Sequence, residues 1–447
     1  MKQIKYSILF VLCTLHGYSQ PTFFNLIEDD KAHKPWDILI KPDENMLFCS
    51  YYTRNDQSWS TIYEVNNFGE IINDWTIINS ANEWIEATRL ILANNQIFLF
   101  GKNKYNYQGS LTPFISLSLL DMQLHEIKRF RYRIEGVPYY EIGPERIITK
   151  DSLFYILASL NDWPNWIGTG FFEVSHSGQD ILSSYYQTSG LVIPFDFFLR
   201  SSTYHWCWIG YDLLSTNSSW GTFFELDSHF NLINTFHLPD FSIWSYTCLE
   251  ETDNSFYLAG NQFDVTSYPN ENFNSIVYKM DLNGNLLKQF VFVSPEDSSS
   301  HVAHFNSLDT LADGNFIMCS TWNLDYELSV QPEPTKIMLF KLTPDLELIW
   351  QKYLFGDVGM YEAYSMQAHP DGGIVILGTY SPTPPSSDVK NIFFLKTNSD
   401  GIITGIDEKQ EKIRISEVIL YPNPANDQIT VEFSMAYPSA EFQLADI

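Results

Sequence analysis

Between Trp36 and Ile406, apolar and polar residues alternate in short runs bounded by Gly, Pro, Asn and Asp. This is the pattern of half-buried strands joined by turns. The runs recur at a nearly fixed interval. VNNFGEII (65–72), LDMQLHEI (120–127), VSHSGQDI (174–181), LDSHFNLI (226–233), MDLNGNLL (280–287), LTPDLELI (342–349) and TNSDGIIT (397–404) each follow a strand-like run such as TIYEV, GFFEV or IVYKM. Their fifth residues, Gly69, Leu124, Gly178, Phe230, Gly284, Leu346 and Gly401, lie 55, 54, 52, 54, 62 and 55 positions apart. Glycine between such runs predicts a tight hairpin turn, because it takes positive φ without steric cost.

A second hairpin alternates with the first. Its turns, among them PDEN (42–45), ANN (93–95), KDS (150–152) and PDG (370–372), lead into strands that finish on Ser50, Gly101, Ala158, Gly210, Gly260, Ser320 and Gly378. A position kept small in every copy predicts that another backbone or sheet passes close by. Two hairpins per unit make four antiparallel strands. Seven such units predict an all-β, seven-bladed β-propeller over residues 20–406. A strand-rich solenoid is the alternative, but solenoid repeats are usually shorter and do not need two hairpins each. Phe23 to Ile27 stands alone ahead of the first unit and is expected to close the last blade as its outermost strand, removing an exposed sheet edge.

In such a meander, the connections between second and third strands and between blades emerge on one face, and the tight turns on the other. Segments 51–60, 102–111, 159–169, 211–221, 261–275, 321–335 and 379–390 therefore make a long-loop face, the expected place for binding. Trp36, Trp84, Tyr140, Phe195, Trp244, His304 and Tyr361 recur near the start of each blade and are read as packing. Aromatics out of that phase are the ligand-binding candidates: Tyr105, Tyr107, Trp163, Trp166, Trp220, Trp322 and Tyr326. Their flat apolar faces with polar tips suit sugar rings or peptide side chains.

Composition narrows the reading. Of 447 residues, 45% are hydrophobic and 16% aromatic, which suits a large pleated core. A net charge of −28 makes nucleic acid and anionic membranes poor partners. Cys49, Cys207, Cys248 and Cys319 show no CxxC or zinc spacing and are expected to be buried free thiols. There is no GxSxG, HExxH, P-loop or complete EF-hand motif, so no catalytic residue, metal or cofactor is assigned. Loop acids (Asp162, Asp212, Asp264, Glu296, Asp297, Asp325, Glu327) keep glycoside cleavage open as an alternative.

The two ends carry the address. Residues 1–19 combine Lys2 and Lys5 with the apolar run Tyr6 to Leu15 and small residues before a cleavage point, which is a secretory signal peptide too short to span a bilayer. A charged linker, 407–414, precedes residues 415–447. There Tyr421, Pro422, Asn423, Pro424, Ala425, Asn426 and Asp427, followed by alternating Ile429, Val431 and Phe433, resemble the opening of the type IX secretion system sorting domain. That resemblance implies the start of a small Ig-like sandwich, export across a Gram-negative outer membrane, and the secretion machinery as a partner. The tail is about half the length of that family's domain, so a truncated copy is expected. A complete signal would place the protein outside the cell or on its surface; a genuine truncation would leave it periplasmic. The expected function is a monomeric, exported propeller binding a glycan, peptide or protein on its long-loop face. A carbohydrate-active enzyme and a purely structural surface protein are the alternatives.

Overall fold

The computed structural model describes residues 20–28 and 32–403, less short internal stretches, together with 418–421 and 430–433. Seven antiparallel sheets follow one another around a channel. Blade 1 comprises His33–Ile40, Met46–Arg54, Gln57–Val65 and Ile71–Ile78; blade 2, Glu83–Ala93, Gln96–Tyr107, Ser110–Leu120 and Glu126–Tyr132. Blade 3 is Glu141–Lys150, Leu153–Asp162, Asn165–Ser175 and Asp180–Tyr186; blade 4, Leu191–Arg200, His205–Leu213, Ser219–Leu226 and Leu232–His237. Blade 5 is Ile243–Glu250, Ser255–Phe263, Phe273–Asp281 and Leu286–Phe292. In blade 6 a split inner strand, Ser300–Val302 and Leu308–Thr310, precedes Phe316–Trp322, Lys336–Leu342 and Leu348–Leu354. Blade 7 is Met360–Ala368, Ile374–Ser381 and Asn391–Thr397, and its outermost strand is Phe23–Ile27, paired antiparallel from Phe23↔Lys396 to Ile27↔Ile392. The protein is a seven-bladed β-propeller whose last sheet is completed by the start of the chain.

The cores lie between blades. Phe198, Cys207 and Phe223 of blade 4, for example, pack with Phe256, Leu258 and Tyr278 of blade 5. Cys49, Cys207, Cys248 and Cys319 are buried free thiols. The seven in-phase turn residues all have positive φ, from 60° at Leu346 to 87° at Gly284. Two solutions alternate around the ring. At Gly178 a Cβ would lie 2.2 Å from Phe130 on the outer strand of blade 2; Gly69, Gly284 and Gly401 are likewise filled by Phe23, Phe236 and Trp350. At Leu124, Phe230 and Leu346 the turn residue itself is the buried filler, with Phe230 stacked on Phe171 at 5.2 Å. Each blade joint thus holds one large side chain beside its turn, supplied by one partner or the other.

The small residues mark a neighbour inside their own blade. Register shifts in the inner strands put one extra residue in each of six blades: Trp36, Thr88, Glu145, Phe195, Tyr246 and Tyr364. The small residue pairs with the position just before that bulge, as in Ala87↔Gly101 and Ala363↔Gly378. A Cβ on Gly101 would meet the Glu86 carbonyl oxygen at 2.3 Å, and one on Gly378 the Glu362 carbonyl oxygen at 2.2 Å. The same bulges correct the reading of the recurrent aromatics. Trp36 and Phe195 are bulge residues, whereas Trp84, Tyr140, Trp244 and Tyr361 sit at different depths on their strands.

Beyond each bulge, side chains stitch neighbouring blades. Asp37 accepts hydrogen bonds from its own Ile38 N–H at 3.0 Å and from Leu90 N–H of blade 2 at 2.9 Å. Asp196 does the same with Phe197 and with Cys248 of blade 5. Asp309 joins blade 6 to Ala368 of blade 7. One further expectation is corrected. In blades 1 to 3 the supposed long loops are mostly strand, since the second strands run to Arg54, Tyr107 and Asp162 and the third strands begin at Gln57, Ser110 and Asn165; stacking of the paired Tyr52 and Trp59 at 5.1 Å carries the first hairpin outward. Of the expected Ig-like tail, the described residues comprise one antiparallel strand pair, Val418–Tyr421 with Thr430–Phe433; the remainder lies outside the described residues.

Candidate functional site

The channel is stopped at mid-height by an insertion in blade 6. Val302 pairs with Ser320 and Leu308 with Met318, so residues 303–307 stand opposite Cys319 alone. Hydrogen bonds from Ala303 N–H to Cys319 C=O and from Cys319 N–H to Ser307 C=O close the loop, and Asn306 turns through a φ of 49°. The loop carries Phe305 against Trp36 of blade 1, stacked at 4.6 Å and 22°, with the Arg89 guanidinium 4.2 Å above the Phe305 ring. Asn306 donates to Asp37 at 3.3 Å and accepts from Arg146. Arg146 also lies 3.1 Å from Asp196. Burial raises the pKa of Asp37, Asp196 and Asp309, and nearby arginines oppose that rise. Below this plug lies a cavity of about 240 Å³ walled by Leu39, Ile91, Leu249 and Met366. The carboxylates of its roof are taken up by backbone N–H groups.

Above the plug, on the face where the inner strands begin, two polar clusters flank the mouth. On one side Glu362 accepts from His304 Nε2 at 2.9 Å and from Lys390 Nζ at 3.1 Å. Burial alone would raise the Glu362 pKa, but these two partners bring it down to about 2. The His304 ring lies against Tyr364 at 4.6 Å.

On the other side, blades 2 and 3 enclose a cavity of about 170 Å³ lined by Trp84, Glu86, Lys102, Asn103, Lys104, Pro113, Glu141 and Ile142. The bulge at Thr88 sets this wall. It shifts the register so that Glu86 pairs with Lys102 and Trp84 with Lys104. Strand alternation then turns all four side chains toward blade 3. Lys104 Nζ sits 5.6 Å from the Trp84 ring centroid and 3.8 Å from that of Tyr140. Lys102 reaches across to Glu141 at 2.9 Å. It passes over Gly143, where a Cβ would meet Lys102 Cε at 2.6 Å.

Charges here are balanced but not equivalent. For Glu141, burial is outweighed by Lys102, with Lys104 and Lys34 adding to it, and its pKa is lowered. Burial pushes Glu86 upward and the Glu141 charge adds to that, against Lys102, Lys34 and Lys104. The Trp84 indole N–H has no hydrogen-bond partner among the described residues.

Two of the seven aromatic candidates, Tyr105 and Trp322, have described side chains, and neither lines this cavity. The Tyr105 ring lies under the Arg131 guanidinium at 4.4 Å, on the strand face opposite Lys104. Trp322 packs in blade 6 near Lys336 (5.7 Å) and Tyr353 (6.4 Å). The side chains of Tyr107, Trp163, Trp166, Trp220 and Tyr326 lie outside the described residues, as do those of the seven loop acids and of Tyr421 to Asp427. Glu86, Lys102 and Glu141 carry no motif and escape a sequence reading. Trp84 was visible there, but as packing.

No family model and no curated protein matches this sequence. Among solved structures, the β-propeller domain of the Trilobed protease from Pyrococcus furiosus is similar at 11% identity, covering 85% of this chain and 100% of that one, with a TM-score of 0.45. The WD40 domain of SCAP from fission yeast is 8% identical over 85% and 99%, TM-score 0.37. A member of the duf4221 family from Bacteroides vulgatus is 10% identical over 85% and 100%, TM-score 0.35. Likenesses this distant carry no functional information.

Proposed function

We infer that this protein is an exported propeller that binds a glycan at the channel mouth, in the cavity between blades 2 and 3. The observation that carries the reading is the convergence there of the Trp84 ring and groups of both charge signs around about 170 Å³. A ligand fitting that lining must accept from the lysines and donate to the carboxylates. A hydroxyl does both, and a sugar ring offers several hydroxyls with an apolar face for the indole. Export rests on the leader at 1–19, and the tail motif is the candidate for engaging the secretion machinery.

The test is a glycan array and a peptide array probed with the full chain and with Trp84→Ala. Retention of a glycan by the wild type and an affinity at least tenfold lower in the variant is the expected result. Retention of peptides alone, or of glycans equally by both proteins, would remove the cavity from consideration. Fractionation of expressing cells tests export: a protein found wholly in the cytoplasm would refute it.

A further inference from the structure

The cavity between blades 2 and 3 presents two carboxyl groups from different blades, Glu86 on the inner strand of blade 2 and Glu141 at the start of blade 3. Paired carboxyls act on a glycosidic bond when they flank it about 5–9.5 Å apart, and these two line one cavity. The two groups are held differently. Glu141 is fixed as an anion by the Lys102 ammonium at 2.9 Å. Glu86 faces Lys102 across one strand pair, and Glu141, Lys34 and Lys104 are among the other charges acting on it. Burial and the Glu141 charge favour its protonated form. One carboxyl biased toward its protonated form and one held ionised, both lining a single cavity, is the arrangement that acid and base roles require.

We propose that this cavity hydrolyses a glycosidic bond, with Glu86 as the proton donor and Glu141 as the base. It rests on the glycan-binding reading and extends it from retention to turnover. Glu86 gives its proton to the bridging oxygen as the bond from that oxygen to the anomeric carbon breaks. Glu141 takes a proton from a water molecule whose oxygen bonds to the same carbon. Solvent returns the Glu141 proton to Glu86, so one linkage and one water become two hydroxyl-bearing products. Trp84 supplies the platform for the sugar, and Lys102 keeps Glu141 ionised.

The experiment incubates the full-length protein with the glycans it retains and with a panel of 4-nitrophenyl glycosides, measuring reducing ends and nitrophenol. Wild type is expected to turn over at least one substrate. Glu86→Gln and Glu141→Gln should each lower the rate by about 10²- to 10⁴-fold, a loss far larger than any accompanying fall in glycan retention. Wild-type activity should fall as pH rises and Glu86 loses its proton, a limb that Glu86→Gln lacks. Glycan retained without released products overturns catalysis, undiminished turnover in Glu86→Gln overturns Glu86 as the proton donor, and both leave the binding reading standing. No glycan retained at all removes both.

Discussion

Gly178 and Leu124 occupy the same turn position in neighbouring blades, with φ of 86° and 66°. At Leu124 the buried side chain offsets the left-handed strain, whereas at Gly178 the Phe130 ring already fills the space. Gly178→Ala therefore combines a strained backbone with a clash and is expected to lower stability by about 2 kcal/mol or more. A double-mutant cycle with Phe130→Ala, followed by denaturant unfolding, should show coupling between the two; strict additivity would mean that the contact is not what excludes the methyl. At the hub, Asp37→Ala strands the Leu90 N–H and removes a carboxylate that acts electrostatically on Arg89. Leaving such a buried donor unsatisfied costs about 1–3 kcal/mol. A loss below about 1 kcal/mol would show that the stitch between blades 1 and 2 contributes little.

At the scale of elements, the sheet that joins the chain ends is the one place where seven modules become a ring. Phe23 and Phe24 are both buried, Phe23 against Phe394 at 5.8 Å and Phe24 against Phe355 at 4.4 Å. Asn25 also donates to the Gly69 carbonyl of blade 1, so this strand contacts both sides of the joint. Deleting residues 21–28 should sharply lower the thermal midpoint, because it opens an apolar edge on blade 7 and uncovers the Gly69 turn. Phe24→Ala should cost about 3–5 kcal/mol by itself. An unchanged midpoint in the deletion would mean that the strand merely lies on the blade. This strand was legible in the sequence because an orphan run needs a partner sheet. The split inner strand of blade 6 was not, although the 62-residue interval between Gly284 and Leu346 held its trace. An interval records that residues have been added; it does not say which strand they interrupt.

The whole molecule carries an acid-sensitive charge network. Glu362, at about 2, lies below the ordinary 4.5 of a carboxyl, so its stabilisation is complete above pH ~4.5 and is lost as pH falls toward ~2. Its full value is roughly 3 kcal/mol. His301, buried beside Phe273 and lowered to about 3 by burial, acts in the same direction between pH ~6.5 and ~3, where the unfolded chain takes up a proton that the folded chain excludes. Asp37, Asp196 and Asp309, raised by burial, have the opposite sign and favour the folded state as pH drops. Denaturant midpoints from pH 7 to 3 should therefore decline for the wild type, decline less below pH ~4.5 for Glu362→Gln, and flatten above it for His301→Gln. Curves parallel to the wild type would show that neither group is linked to folding.

Strand number, hairpin phase, the positive-φ turns and the closing strand were all written in local order, because each follows from alternation, from turn chemistry or from the repeat itself. The site was decided by the folded ring. Turn ANN at 93–95 pairs Arg89 with Phe100, but the extra residue Thr88 then moves Glu86 opposite Lys102, which turns its wall toward blade 3. Nothing in the local pattern marks that one-residue shift. The carboxyl that shares the cavity arrives from another sheet, 55 positions along the chain. Periodicity specifies which residues share a strand face; which faces meet across a joint follows only once all seven sheets have packed.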